Sequence, residues 1–240
     1  MQRLVECITQ EHHTGILLTA IAVCVVGSGL TVRLLLRRWS QRPILKAVQI
    51  AIIASTCATT IWATHFIAMI AYDPGVPHAY GVVLTGISLL VAIFGVVLSY
   101  LVGIVQKLPF RHYMAGAILG LTIVAMHQVG VNAMILQGHV DFAPRYMIAM
   151  VASASLLATA FNAGILRIPL RLRWAGGTAM LTTTILVAHM TGMAAIRIQL
   201  DPTVAVPDQV LPDSVLAAVV LPGAVLSLLG CTRVFLLGCR

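Results

Sequence analysis

The chain has 240 residues, of which 60% are hydrophobic and 9% charged, with a formal net charge of +8. Its mean hydropathy is +0.99, whereas a water-soluble domain carries about 25% charged residues. This composition excludes an ordinary soluble domain and predicts an integral membrane protein whose first partner is the lipid bilayer. The positive excess does not point to nucleic acid, because the basic residues gather at the ends of apolar stretches, as in the cytoplasmic loops of membrane proteins.

The opening residues, Met1-Gln-Arg-Leu-Val-Glu-Cys7, are polar and mixed in charge, which predicts no cleavable leader. A helix needs about 20 mostly apolar residues to cross a bilayer. Seven stretches meet that need, over 14–36, 47–71, 79–104, 113–135, 147–166, 174–196 and 215–237. Turn-rich or charged breaks separate them, among them Asp73-Pro74-Gly75, Gln137-Gly138-His139 and Arg167-Ile168-Pro169. The fold class expected is an all-α membrane protein: seven transmembrane helices in one domain spanning 1–240. The first six form three repeated helical hairpins, and the seventh is an extra helix. Asn132 and Asn162 fall within spans and are expected to hydrogen-bond to a neighbouring helix.

The charges orient the bundle. Arg33, Arg37, Arg38, Arg42, Lys46, Lys107, Arg111, Arg167, Arg171, Arg173, Arg233 and Arg240 fall on one side. Arg3, Arg145 and Arg197 fall on the other, together with all seven acids. The positive-inside rule then places the N-terminus outside and the C-terminus in the cytoplasm.

One histidine recurs every 62 residues, as His65, His127 and His189, each on the even span of a hairpin. An ionisable side chain inside an apolar span is costly and marks a functional site by default. His65 lies 8 residues before Asp73, and His189 lies 8 before Arg197. At 1.5 Å per residue both are about 12 Å below the outer boundary. A single intramembrane histidine is often a structural donor to a backbone carbonyl; three in register predict one site built three times around an axis along the membrane normal.

Residues i and i+4 share a helix face, so Met69 lies over His65 and Met193 over His189. The second copy has Val131 there, with Met126 and Met134 as its nearest sulfurs. Taken alone, each methionine is ordinary packing filler. Imidazole with thioether is a soft, neutral donor set that suits copper better than magnesium, calcium or manganese. Zinc prefers sites with carboxylate or thiolate as well, and no acid lies within a span. Haem is the alternative cofactor, since histidine or His/Met can ligate its iron, but it leaves one histidine of the three unused. His12 and His13 precede the first span, and one of them, His13 by preference, is a candidate further ligand; the plainer reading is an exposed loop pair. His78, His112 and His139 read as solvated. Of Cys7, Cys24, Cys57, Cys231 and Cys239, none forms a CxxC pair. No disulfide framework follows, and Cys24 and Cys57 read as small buried residues with copper ligation as the sharper alternative.

At these residues the chain resembles the MHYT family of bacterial integral membrane sensors, named for a thrice-repeated Met-His-Tyr-Thr motif. The copies read Thr64-His65-Phe66-Ile67, Met126-His127-Gln128-Val129 and Ala188-His189-Met190-Thr191; only the histidine is common to all three. The resemblance implies a seven-span sensor of the bacterial cytoplasmic (inner) membrane. It implies copper near the outer face and a response to a diatomic gas: oxygen, carbon monoxide or nitric oxide. It also implies a cytoplasmic signalling partner or a C-terminal output module. Two other classes compete: a membrane redox enzyme with a copper or haem centre, and a metal transporter. The cytoplasmic half holds no second His/Met layer for transport. The only lysines, Lys46 and Lys107, leave no amine for a retinal Schiff base.

Overall fold

The computed structural model describes residues 7, 9–37, 42–104, 108–201, 203 and 210–237. Arg3, Glu6, Arg38, Lys107, Asp208, Cys239 and Arg240 lie outside the described residues. Among the described residues seven long helices are present: α1 (Thr14–Leu35), α2 (Pro43–Ala71), α3 (Val82–Ile104), α4 (Arg111–Val131), α5 (Pro144–Gly164), α6 (Leu170–Met193) and α7 (Asp213–Leu237). The first five are long and apolar enough to cross a membrane. α6 is less apolar, since it carries Arg171, Arg173 and the run Thr182-Thr183-Thr184. The seventh helix has Pro222 inside it.

Helix starts follow local chemistry. Pro43 and Pro144 open α2 and α5 at first-turn positions, where a missing N–H costs nothing. Inside the helices, three hydroxyls at matching positions bond to the preceding turn: Thr60 donates to Thr56 O, Thr122 to Ile118 O and Thr184 to Met180 O, at 2.7–2.8 Å. These threonines also repeat every 62 residues. Asn162 donates to Ala158 O, and Asn132 accepts from Gln128. Both asparagines therefore bond within their own chain segment, not to the neighbouring helix that the sequence led us to expect, because a carbonyl or amide one turn away is already within reach.

The helices form a closed ring in which each packs on the next, α1 to α6 and back to α1, while α4 also touches α2 and α6. The even helices thus stand inside. The extra helix α7 packs outside, on α2 and α1. Its entry is sewn to the bundle: Tyr80 and Leu211 exchange backbone hydrogen bonds, and His78 faces Asp213 at 3.7 Å. That pairing leaves the His78 side chain largely buried, correcting the solvated reading. Close approach is bought with small residues. A Cβ on Gly116 or Gly120 would collide with the α5 backbone at Thr159 or Ser155, the spacing by which small residues let membrane helices touch.

The connections at one end are not plain loops. β1 (His78–Tyr80) pairs antiparallel with β2 (Met134–Leu136), and β3 (Gly138–Phe142) with β4 (Ile196–Leu200). Residue 12 forms an isolated antiparallel bridge with Tyr72. The second helix ends at Ala71, where hydropathy indicates, while α4 and α6 end at Val131 and Met193, a few residues sooner; the chain turns into these ladders, which absorb the backbone groups that a helix end leaves unpaired. The fold is all-α with this short β rim added.

Candidate metal centre

The inner helices carry the repeat in layers, one helical turn apart. His65, His127 and His189 form one layer, all buried. One turn back lie Ile61, Ile123 and Ile185; a further turn back lie Cys57, Leu119 and Leu181, all buried. Each layer is spaced by 62 residues, so the three hairpins present the same heights to one axis.

The histidine rings converge. Nδ1 of His65 lies 3.2 Å from Nδ1 of His189 and 3.2 Å from Nδ1 of His127. All three ligand nitrogens fall within 4.8 Å of one another. A proton between two imidazoles satisfies only one pair, so a third nitrogen aimed at the same point meets either a lone pair or an N–H head on. A small cation removes that conflict. With imidazole bonds of about 2.0 Å, nitrogens around a four-coordinate ion stand about 3.3 Å apart, close to the spacing here. The donor set fits a single metal ion. The cavity between the rings and the isoleucines is about 10 Å³, roughly the room of one small atom or water.

Glycines set the rings in place. A Cβ on Gly130 would collide with Nε2 of His65, and one on Gly192 with Nε2 of His127. Each glycine is three residues beyond the next repeat's histidine, so each ring leans on the neighbouring inner helix. The Nε2 atoms of His65 and His189 have no hydrogen-bond partner among the described residues; for His65, glycine stands where an outer acceptor usually does.

The methionines divide differently from expectation. Met69 and Met193 are fully buried, but the cavity is lined by Met126 in their stead. The cavity opens toward the isoleucine layer, one turn before the histidines, whereas Met69 and Met193 lie one turn beyond. Met150 of α5 was not singled out by the sequence; its Sδ would stand 2.6 Å from a Cβ on Gly192, beside the His127 ring. Only the crossing of α5 over α6 brings it there.

His13 is exposed and His12 buried, which reverses the preference between them. The cause is strand alternation. Backbone bonds from His13 N–H to Ala71 O and from Asp73 N–H to Glu11 O, both 2.8 Å, pair residue 12 with Tyr72. Neighbouring residues of an extended segment face opposite ways, so His12 turns in beside Tyr72 (ring centroids 5.4 Å apart) and His13 turns out. Burial holds the His12 pKa below its ordinary value, against the upward pull of the Cys7 carbonyl and the Glu11 charge.

Cys57 lies two turns, about 12 Å, from the histidine layer and contacts Tyr100. Cys24 contacts the hydroxyls of Thr64, Ser28 and Thr182. Both are buried free thiols. His139 is exposed, near Asp201 at 3.6 Å, as the sequence led us to expect. Trp62 is an anchor between helices: its Nε1 donates to Thr85 O and Ser88 Oγ of α3 at 3.2 and 3.1 Å.

A family model described as the MHYT, bacterial signalling protein N terminal repeat, matches residues 59–116, which include the first histidine. The chain belongs to the MHYT family. A signalling protein of Caulobacter vibrioides is 33% identical over 220 residues, covering 91% of this MHYT chain and 27% of that protein. The bifunctional diguanylate cyclase/cyclic di-GMP phosphodiesterase MucR of Pseudomonas aeruginosa is 33% identical over 148 residues, 58% of this chain and 21% of its own length. The cyclic di-GMP phosphodiesterase NbdA of the same organism is 32% identical over 146 residues, 57% and 18% respectively. The MHYT chain thus spans about a quarter or less of these curated relatives. No solved structure matches it.

Proposed function

We propose that the chain is the sensory membrane domain of a bacterial signalling system. It crosses the cytoplasmic membrane seven times, N-terminus outside, and His65, His127 and His189 hold one copper ion near the outer face. The observation that carries this reading is the convergence of three buried imidazoles, the Nδ1 of His65 lying 3.2 Å from that of His127 and 3.2 Å from that of His189, with the three ligand nitrogens within 4.8 Å of one another. The orientation rests on charge. Among the described residues the end bearing the histidines has Glu11, Asp73, Asp141, Asp201 and Asp213, and the opposite end has Arg33, Arg37, Arg42, Lys46, Arg111, Arg167, Arg171 and Arg173.

Copper is favoured over zinc by the absence of any carboxylate or thiol among the cavity's lining residues and by the presence of Met126 in that lining. Haem is disfavoured because nitrogens 3.2 Å apart leave no slot for a porphyrin. Copper in such a place supplies a centre that changes oxidation state and takes up oxygen, carbon monoxide or nitric oxide. The protein's part is to place three imidazoles from three helices on one point, so that any change in their preferred separation acts on α2, α4 and α6 together. For a signal, the two states must differ in free energy at the cytoplasmic end. Two relatives are named as cyclic di-GMP enzymes, so the reader of that change is an output module or partner of that class. Met69 and Met193 are proposed to tune the site from the layer beyond the rings.

Elemental analysis of the purified, reconstituted chain tests the reading. One copper per chain is expected in the wild type, and none in His65→Ala, His127→Ala or His189→Ala. A wild type that holds no copper ends it.

A further inference from the structure

A groove of about 580 Å³ runs down the outer face of the bundle between α1, α6 and α7, a volume in the range of ligand sites. The last helix packs on α2 and α1, so a gap is left between it and α6. Val25, Val26, Leu30 and Val225 give the groove hydrocarbon walls. Among the described residues that line it, Arg33 is the only charged one.

One hydrogen bond fixes where the polar end of the groove lies. Trp174 Nε1 of α6 donates to Gly29 O of α1 at 2.9 Å. A Cβ on Gly29 would meet Trp174 and Thr178 at 3.4 and 3.6 Å, so the two helices touch there. Residues three or four apart share a helix face. Arg33 lies four residues past Gly29, and Arg171 three before Trp174. The two helices run in opposite directions, so each sets an exposed arginine one turn to the same side of that bond. The described acids all lie at the other end of the bundle. From Arg33 back to Val25 is eight residues, about 12 Å of apolar groove. The half-exposed Trp174 ring stands between the two parts, as aromatic side chains do at the level of lipid head groups. A guanidinium matches a phosphate with paired N–H donors.

We propose that this groove binds an anionic phospholipid of the cytoplasmic leaflet, one acyl chain lying along the hydrocarbon walls and the phosphate held by Arg33 and Arg171. Basic pockets between helices on the cytoplasmic side recognise anionic head groups in this way. A zwitterionic lipid fits less well, because its ammonium meets two like charges. The lipid joins α7 to α6, the helix that carries His189, so leaflet composition acts on the contact between the repeat and the last helix. The proposal rests on the membrane-spanning reading and is independent of the metal.

Native mass spectrometry of the full chain, released from nanodiscs holding equal amounts of phosphatidylglycerol and phosphatidylethanolamine with identical acyl chains, tests it. One phosphatidylglycerol per chain is expected, retained over phosphatidylethanolamine by at least about fivefold, the weight of one arginine near a membrane surface. Arg33→Gln and Arg171→Gln should each lower that preference, and the double variant should abolish it. Thr178→Trp fills the groove and should release both lipids. Arg111→Gln, at the same end on α4, should change nothing. Equal retention of the two lipids by the wild type, a reading that needs no variant to fold, would overturn the site. So would an undiminished preference in the double variant, or a dimer that Thr178→Trp dissolves, since a second copy of the chain would then be the occupant. Copper content should be the same in all these chains. A wild type that holds copper without a lipid preference ends this inference alone, and one that keeps the preference without copper ends only the metal reading.

Discussion

The histidine layer and the isoleucine layer lie one turn apart on the same three helices, in the same 62-residue repeat, and have opposite chemistry. His65, His127 and His189 aim nitrogen at one point; Ile61, Ile123 and Ile185 close the axis with hydrocarbon. Below them Cys57, Leu119 and Leu181 continue the dry column. An ion held at the upper level would find hydrocarbon one turn down and a single thiol, Cys57, two turns down, and desolvating a charge in such a column is prohibitive. The contrast separates holding from passing: the architecture suits a fixed centre, and transport would need a second layer of donors that the column lacks. It also explains why the rings stay in register. They rest on a packed floor, while glycines at Gly130 and Gly192 give them side clearance.

The comparison can be broken from either layer. The largest effect is expected from Gly192→Val, which drives side-chain atoms into the His127 ring and the Met150 sulfur. Copper retention should fall by about 100-fold, read by chelator competition, while the helical content stays near wild type. Gly120→Leu acts on the scaffold. Its side chain meets α5 backbone, which cannot move aside as a side chain does, so α4 and α5 must separate. About 3 kcal/mol of stability should be lost, read by denaturation in detergent. Ile123→Ala opens the floor and should cost about 2–3 kcal/mol, with one copper still bound; loss of copper in this variant would mean that the two layers are not separable. The smallest effect belongs to Trp174→Phe, which removes the 2.9 Å bond from Nε1 to Gly29 O between α6 and α1. It should cost about 1 kcal/mol and leave copper affinity unchanged.

Much of this was legible in the residues. Sparse charge and seven apolar stretches gave the helices nearly to their ends, because a bilayer imposes length and apolarity on each segment separately. The three histidines were found by spacing alone. The isoleucine and threonine layers carry the same 62-residue signal and were passed over because an apolar residue in an apolar span does not stand out. The β rim was missed because its strands are three to five residues long and sit where hydropathy falls. Choosing His13 over His12 failed because facing in an extended segment depends on its partner strand, here the chain at Tyr72.

The amino-acid sequence by itself determined that this is a membrane-embedded repeat of helical hairpins with three histidines at one height, since hydropathy, charge and period are local properties. Tertiary structure alone decided that Nδ1 atoms face one another, that Met126 lines the cavity between the rings while Met69 and Met193 stand a turn beyond, and that His12 turns inward. Those depend on how α2, α4 and α6 meet about their axis and how a short strand lies across them, and such crossings are set by packing between segments far apart in the chain.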